Sequence, residues 1–100
     1  MKQVELLYFD DCPNWREADD VLQRLAGEVG FEVTRRLVDS PEQAEALTFR
    51  GSPSILVDGI DPFASGNEPV GLSCRIYQTP SGPAGSPTLD QLRAVLAAQK

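Results

Sequence analysis

The sequence predicts a single α/β domain over residues 1–100, with its elements in the order β-α-β-α-β-β-α. Residues 3–9 are apolar on both alternating faces, which is typical of a central strand covered on both sides. From residue 14 to 29 the apolar side chains recur at steps of three and four, which indicates an amphipathic helix that Gly30 ends. The composition, 41% hydrophobic and 24% charged, is that of an ordinary globular domain.

A strand and a short helix are predicted next. Residues 31–37 alternate apolar and polar side chains, which indicates a strand with one exposed face. Ser40 is placed as a helix N-cap, with Pro41 first in the helix and Gln43 able to complete a capping box. This helix is expected to end near Gly51. Because a right-handed β-α-β unit places its strands parallel, the first two strands are expected to be parallel.

A third strand, a short β-branched and aliphatic run, is predicted within the stretch from Ser52 to Gly59. Pro53 precedes it, and proline is tolerated at the first residue of a strand. Asp58-Gly59 follows as a strong turn signal. Residues 60–71 show no regular pattern and are left unassigned.

A fourth strand and a last helix complete the order. In residues 72–77 apolar and polar side chains alternate, which indicates a half-buried strand, expected to pair antiparallel with the third. Its apolar positions are Leu72, Cys74 and Ile76. Residues 78–87 are a loop by their Gly, Pro and Ser content, and Thr88 with Gln91 repeats the capping-box spacing at the last helix.

Composition excludes several classes of function. The chain has no histidine, so neither a Ser-His-Asp triad nor a Cys-His pair can form. Cys12 and Cys74 alone fall short of a four-cysteine zinc site, so no metal site is predicted. A net charge of −6 argues against nucleic acid and membrane surfaces as partners. No apolar run approaches the roughly 20 residues of a membrane span, and a strand follows Met1 directly, so a cytoplasmic location is expected.

Cys12 lies where the first strand meets the first helix, within the stretch YFDDCPNW at residues 8–15. Unpaired N–H groups and the positive end of the helix dipole converge at a helix start and favour a thiolate. Asp10 and Asp11 oppose this, since a like charge at contact distance in water costs about 1 kcal/mol. The helix contributes about 0.3–1 kcal/mol in the other direction. We therefore predict an exposed cysteine with a modestly stabilised thiolate.

Two motifs carry a resemblance to a known family. Cys-Pro-x-Trp at residues 12–15 and Gly-Ser-Pro at residues 51–53, separated by a β-α unit, resemble the active-site turn and cis-proline loop of the thioredoxin superfamily. The length and element order are similar to those of a glutaredoxin. The resemblance implies a thioredoxin-like three-layer sandwich with a mixed four-stranded sheet. It also implies a cis bond between Ser52 and Pro53.

The resemblance implies a site as well. Cys12 would be the catalytic thiol, and the backbone of Ser52 would pair with bound substrate. Trp15, Ser52 and Pro53 would form the substrate groove, although Trp15 is equally suited to the core. Trp15 also stands where the family usually has its second cysteine, so the family's dithiol cycle does not transfer.

The resulting prediction is a single-cysteine thiol protein with monothiol redox or thiol-adduct chemistry at Cys12. Thiolate attack would give a mixed disulfide or adduct, and an external thiol would then release it. No resident cofactor is predicted; glutathione or another low-molecular-weight thiol could resolve the intermediate, and the partner would be a peptide or small thiol. Two alternatives stay open: a non-catalytic binding module on the same fold, and capture of a soft metal or organomercurial by Cys12 and Cys74.

Cys74 is expected to be a buried free thiol. It shares an apolar strand face, and an antiparallel fourth strand would leave it roughly 10 Å from the active-site end at about 3.3 Å per residue. A disulfide requires Cα atoms within about 7 Å, so no bond to Cys12 is expected, and Cys12 should alkylate faster. The alternative is that the unassigned loops bring the thiols together, which would make Cys74 a second, resolving thiol.

Overall fold

The computed structural model describes residues 2–64 and 68–98. The elements are β1 Lys2–Tyr8, α1 Trp15–Leu25, β2 Phe31–Leu37, α2 Pro41–Ala46, β3 Ser54–Val57, β4 Tyr77–Thr79, β5 Gly82–Ala84 and α3 Leu89–Ala98. A π-helical turn, Ala26–Gly30, follows α1 and ends at Gly30, which has φ +87°. Among the described residues, none of the helices has the length and apolar character needed to span a bilayer.

The main sheet has three strands in the order β2-β1-β3. β1 pairs in parallel with β2 along its whole length, from Lys2 opposite Phe31 to Tyr8 opposite Leu37. On its other side β1 pairs antiparallel with β3, with Val4 opposite Val57. The predicted central position of the first strand and its parallel pairing with the second are confirmed.

Each face of the sheet is covered by helices, which explains why β1 is apolar on both faces. One buried cluster joins β1 and β3 to α1 and α3. Its fully buried members include Val4, Leu6, Leu22, Leu25, Ile55, Leu92 and Leu96. A smaller cluster on the opposite face contains Leu7, Val38, Ala44 and Phe49, and Ala44 belongs to α2. The chain is therefore a mixed α/β structure with helices on both sides of a small sheet.

The predicted N-caps are both confirmed, and the capping box closes in full at Thr88, whereas at Ser40 the Gln43 side chain bonds the preceding residue. The Ser40 hydroxyl accepts from the Gln43 N–H at 3.1 Å, while the Gln43 side chain accepts from the N–H of Asp39. At α3 the Thr88 hydroxyl accepts from the Gln91 N–H at 3.1 Å, and the Gln91 side chain accepts from the Thr88 N–H at 2.9 Å. These bonds satisfy N–H groups that have no partner within the helix.

The predicted four-stranded sheet is wrong. Residues 72–76 form no regular strand, and β4 pairs antiparallel with β5 in a separate two-stranded sheet. β5 lies within residues 78–87, which composition had indicated as a loop. Residues 65–67 of the unassigned stretch and residues 99–100, at the end of the sequence, lie outside the described residues. Among the described residues, β3 is therefore the last strand of the main sheet on that side.

Candidate functional site

Cys12 lies in a tight turn between β1 and α1. Its N–H donates to the Phe9 carbonyl at 3.0 Å, and the Arg16 N–H donates to the Pro13 carbonyl at 3.1 Å as α1 begins. The position at a helix start agrees with the sequence, but the predicted exposure is wrong, because Cys12 is only 1% exposed. Neighbouring backbone and a later segment of the chain cover it.

Cys12 forms a disulfide with Cys74, with their Cα atoms 5.7 Å apart. Both predictions for Cys74 are therefore wrong, since it is bonded and it is also exposed. The two cysteines lie 62 residues apart in sequence, so tertiary structure alone brings them together. The structure therefore shows the alternative arrangement, in which segments outside the regular elements bring the two thiols together.

A segment of residues 71–77, called here the docked segment, carries Cys74 to this position. The Ser52 N–H donates to the Ser73 carbonyl at 2.7 Å, and the Arg75 N–H donates to the Ser52 carbonyl at 2.9 Å. These bonds form a parallel bridge between Ser52 and Cys74. The predicted antiparallel strand would have left Cys74 too far from Cys12, whereas parallel docking places Cys74 directly beside Ser52.

The docked segment buries the opposite face from the one predicted. Arg75 and Tyr77 are 5% and 4% exposed, whereas Cys74 and Ile76 face outward. The guanidinium of Arg75 binds Asp61 through two contacts, 2.6 Å from Nη1 to Oδ2 and 3.4 Å from Nη2 to Oδ1. Burial acts to lower the pKa of Arg75, but the hydrogen bond to Asp61 and the charge interactions with Tyr77, Asp61 and Glu68 together outweigh it, so the pKa is raised. Arg75 is therefore a buried, charged anchor.

Tyr77 provides a second anchor at the end of the docked segment. Its hydroxyl donates to the Pro53 carbonyl at 2.5 Å. Its ring lies 4.6 Å from the guanidinium carbon of Arg75 and meets the Phe63 ring edge-on at 5.4 Å. Arg75 and Tyr77 thus hold the docked segment against the two residues of one peptide bond, Ser52 and Pro53.

That peptide bond is cis, as predicted. The Ser52 hydroxyl accepts from the Phe9 N–H at 3.0 Å, which joins the loop to the cysteine turn, and Cys12 Sγ lies 3.7 Å from the Ser52 carbonyl oxygen. Ser52 and Pro53 are both buried. The backbone of Ser52, predicted to pair with substrate, is paired with the docked segment of its own chain.

Trp15 takes the structural role that the sequence allowed. Its ring packs on Tyr8 with centroids 4.4 Å apart and against the larger core cluster. The guanidinium of Arg16 lies 5.6 Å from the ring centroid. The indole N–H is buried without a hydrogen-bond partner among the described residues. Trp15 therefore packs between β1 and α1, at the edge of the larger core cluster.

An open hollow of about 290 Å³ lies beside Cys74. Its lining includes Arg50, Glu68, Ser73, Cys74 and Ile76. Arg50 lies 3.8 Å from a carboxylate oxygen of Glu68 and 4.0 Å from one of Asp61. The exposed Cys74 therefore borders an open hollow in which the charged pair Arg50 and Glu68 lies beside apolar surface from Pro69 and Ile76.

Sequence reasoning missed Arg75, Asp61 and Tyr77. Arg75 and Tyr77 share one alternating face, which was the available signal, but an arginine on a strand face normally indicates exposure. No local pattern links either of them to Asp61, fourteen residues earlier than Arg75. Across the part of the chain that the structure describes, no group of three or more Cys, Asp or Glu side chains is placed to hold a metal ion.

Comparison with known proteins does not assign the site. The sequence matches no model of a protein family, and no curated protein matches it significantly. The interpretation of the site therefore depends on its geometry.

Gly51→Ala should destabilise the oxidised protein more than Gly59→Ala does. Both glycines have positive φ, +102° and +84°, a conformation that costs an L-residue about 1–2 kcal/mol. A Cβ at Gly51 would also lie 3.0 Å from Arg75 Cβ and 3.2 Å from its backbone, whereas Gly59 has open space. This overpacking should add about 1–3 kcal/mol in urea unfolding. Equal losses would show that the docked segment moves away freely.

Alkaline pH should destabilise the protein through Tyr77. Burial raises the pKa of Tyr77, and the opposing effect of Arg75 is smaller. The folded state therefore keeps a proton that the unfolded chain loses above about pH 10, and the free energy of unfolding falls as pH rises past that value. Its stabilising contribution is fully present below about pH 10.

Tyr77→Phe tests this assignment. The variant should lose about 1–3 kcal/mol at pH 7, because the buried Pro53 carbonyl loses its donor, and should show a weaker alkaline decline. Tyr8→Phe, the matched control at the chain's other tyrosine, should keep the decline. The measurement is urea unfolding between pH 7 and 11. An unchanged decline in Tyr77→Phe would contradict the prediction.

Proposed function

We propose that the chain is a thiol–disulfide exchange protein whose redox pair is Cys12 and Cys74. The observation that carries the proposal is the disulfide between a cysteine at a helix start and an exposed cysteine on the docked segment. The proposal replaces the single-cysteine cycle with a two-cysteine cycle, in which the chain supplies its own resolving thiol.

External thiols enter at Cys74. A thiolate attacks the exposed Cys74 sulfur and forms a mixed disulfide there, the Sγ–Sγ bond breaks, and its electron pair leaves on Cys12. The start of α1 favours that leaving thiolate. A second external thiolate then attacks the sulfur that the first external thiol contributed to the mixed disulfide, which forms the external disulfide and releases the Cys74 thiolate. Two external thiols are thereby oxidised, and the protein disulfide is reduced.

The reverse sequence reduces an external disulfide. The Cys74 thiolate attacks one of its sulfurs and releases one thiolate. The Cys12 thiolate then attacks the Cys74 sulfur of the mixed disulfide, restores the internal bond and releases the second thiolate. When Cys12 is instead protonated, the Ser52 carbonyl 3.7 Å from its sulfur is placed to accept the thiol hydrogen.

A thioredoxin-like three-layer architecture is part of this proposal. It is supported by the parallel β1–β2 pair, by helices on both faces of the sheet, and by a cis Ser52–Pro53 bond beside the Cys12 turn. The shorter three-stranded sheet is the main departure.

Two other functions compete for the same residues. A purely structural disulfide would make the chain a binding module, and the reduced thiols, with Cα atoms 5.7 Å apart when bonded, could together capture a soft metal ion. Exchange with thiols separates these cases, because structural disulfides typically have reduction potentials below about −300 mV.

The test is equilibration of wild type in glutathione redox buffers, followed by alkylation and mass spectrometry. We expect a single two-electron transition within the glutathione range, above about −300 mV. Reduced wild type should also turn over hydroxyethyl disulfide with glutathione as reductant. Cys12→Ser and Cys74→Ser should each lose at least about tenfold in this turnover, equivalent to 1.4 kcal/mol.

The double variant Cys12→Ser/Cys74→Ser is the matched control, with folding verified by circular dichroism. Like the two single variants it lacks the disulfide, but it also lacks both thiols, so it shows the background turnover of the folded chain. A disulfide that resists glutathione throughout, with no turnover, would contradict the proposal and favour a structural bond. Uptake of one thiophilic ion per reduced chain without any disulfide turnover would favour metal capture instead.

A further inference from the structure

The backbone groups nearest to the disulfide are already paired within the chain. β3 is an edge strand of the main sheet, and an exposed edge is where an extended peptide binds by adding a strand. Ser52 lies at the start of this edge, beside Cys12. Both its N–H and its carbonyl are bonded to the docked segment, at Ser73 and Arg75.

The docking has anchors besides the disulfide, on both sides of Cys74. Upstream, the Gly71 N–H donates to the Phe49 carbonyl at 3.1 Å. Downstream, Arg75 binds Asp61 and the Tyr77 hydroxyl binds the Pro53 carbonyl. Because reduction breaks none of these contacts, the docked segment should stay in place in the dithiol form. The edge at Ser52 is then closed to peptides in both redox states.

The approach that stays open is the hollow beside Cys74. Its volume of about 290 Å³ is near the lower limit of small-molecule sites, about 300 Å³. Arg50, Glu68 and Ser73 give this mainly apolar hollow a few polar groups, which is the usual character of a small-molecule site. An extended peptide would in addition need backbone partners, and those at Ser52 are occupied.

We propose that the substrates of the Cys12–Cys74 pair are low-molecular-weight thiols and disulfides, not extended polypeptides. This inference rests on the proposed function and specifies its substrate class. Exchange follows the steps above, with a small disulfide entering at the Cys74 sulfur and accepting two electrons from the two thiols. The docked segment acts as a fixed part of the site that excludes peptides.

The kinetic test compares two disulfides on the reduced protein. One is hydroxyethyl disulfide, and the other is a pair of linear decapeptides joined by one disulfide. Their rates with dithiothreitol correct for intrinsic reactivity. We expect a corrected kcat/KM at least about 100-fold lower for the peptide, equivalent to 2.7 kcal/mol.

Hydrogen exchange tests the closed edge without requiring turnover. The amides of Ser52 and Arg75 should stay protected on reduction and in Cys12→Ser/Cys74→Ser, because their acceptors do not depend on the disulfide. Asp61→Asn with Tyr77→Phe removes both downstream anchors and should raise exchange at Arg75 and peptide turnover relative to the small disulfide. Asp90→Asn with Tyr8→Phe is the matched control, since Asp90 pairs with Arg93 on the surface.

The outcomes separate the two proposals. Absence of turnover with every disulfide overturns the proposed function, and this inference falls with it. Peptide turnover within about tenfold of the small disulfide, a difference of 1.4 kcal/mol, overturns this inference alone. Free exchange of the Arg75 amide on reduction overturns it too, even if the anchor variant fails to fold.

Discussion

The position of Cys74 depends on the docking of Arg75 between Ser52 and Asp61. Each backbone hydrogen bond in this docking contributes about 0.5–1.5 kcal/mol net, whereas loss of one partner of a buried ion pair costs about 3–5 kcal/mol. Arg75 and Asp61 have side chains 3% and 5% exposed, so the larger figure applies to them. The ion pair therefore has the larger effect on where the segment docks, and the backbone hydrogen bonds form once Arg75 is in place.

The same ion pair fixes the register of the docked segment. A buried ion pair adds little stability compared with apolar residues of similar volume. Its main effect is that arrangements which separate the two charges become unfavourable. Asp61 is held in place by the Phe63 N–H, which donates to its Oδ1 at 3.0 Å. A slip of one residue would reverse the two faces, leave Asp61 buried without Arg75, and turn Tyr77 outward. Cys74 would then face away from Cys12.

Local patterns predicted the parts of the fold that local physics determines. The apolar run of β1, the Ser40 and Thr88 caps and the Gly30 stop each depend on residues a few positions apart. The alternation of apolar residues gave the wrong buried face for residues 72–77. That pattern assigns arginine to the surface, and it contains no information about Asp61, the distant buried carboxylate that pairs with Arg75. The predicted exposure of Cys12 was wrong for a related reason, because the segment that covers Cys12 lies some sixty residues further along the chain. The cis bond was predicted through resemblance alone.

Docking and the disulfide are coupled, and the coupling must be reciprocal. A pair of thiols on neighbouring turns is close in any state that keeps the helix, but Cys12 and Cys74 are close only while residues 71–77 are docked. Docking therefore raises the effective concentration of one thiol at the other, and the disulfide stabilises docking by the same free energy. A substitution that weakens the Arg75–Asp61 contact enough to release the segment in the dithiol form therefore makes the disulfide easier to reduce. The redox behaviour of the pair depends in this way on an ion pair that has no part in the sulfur chemistry itself.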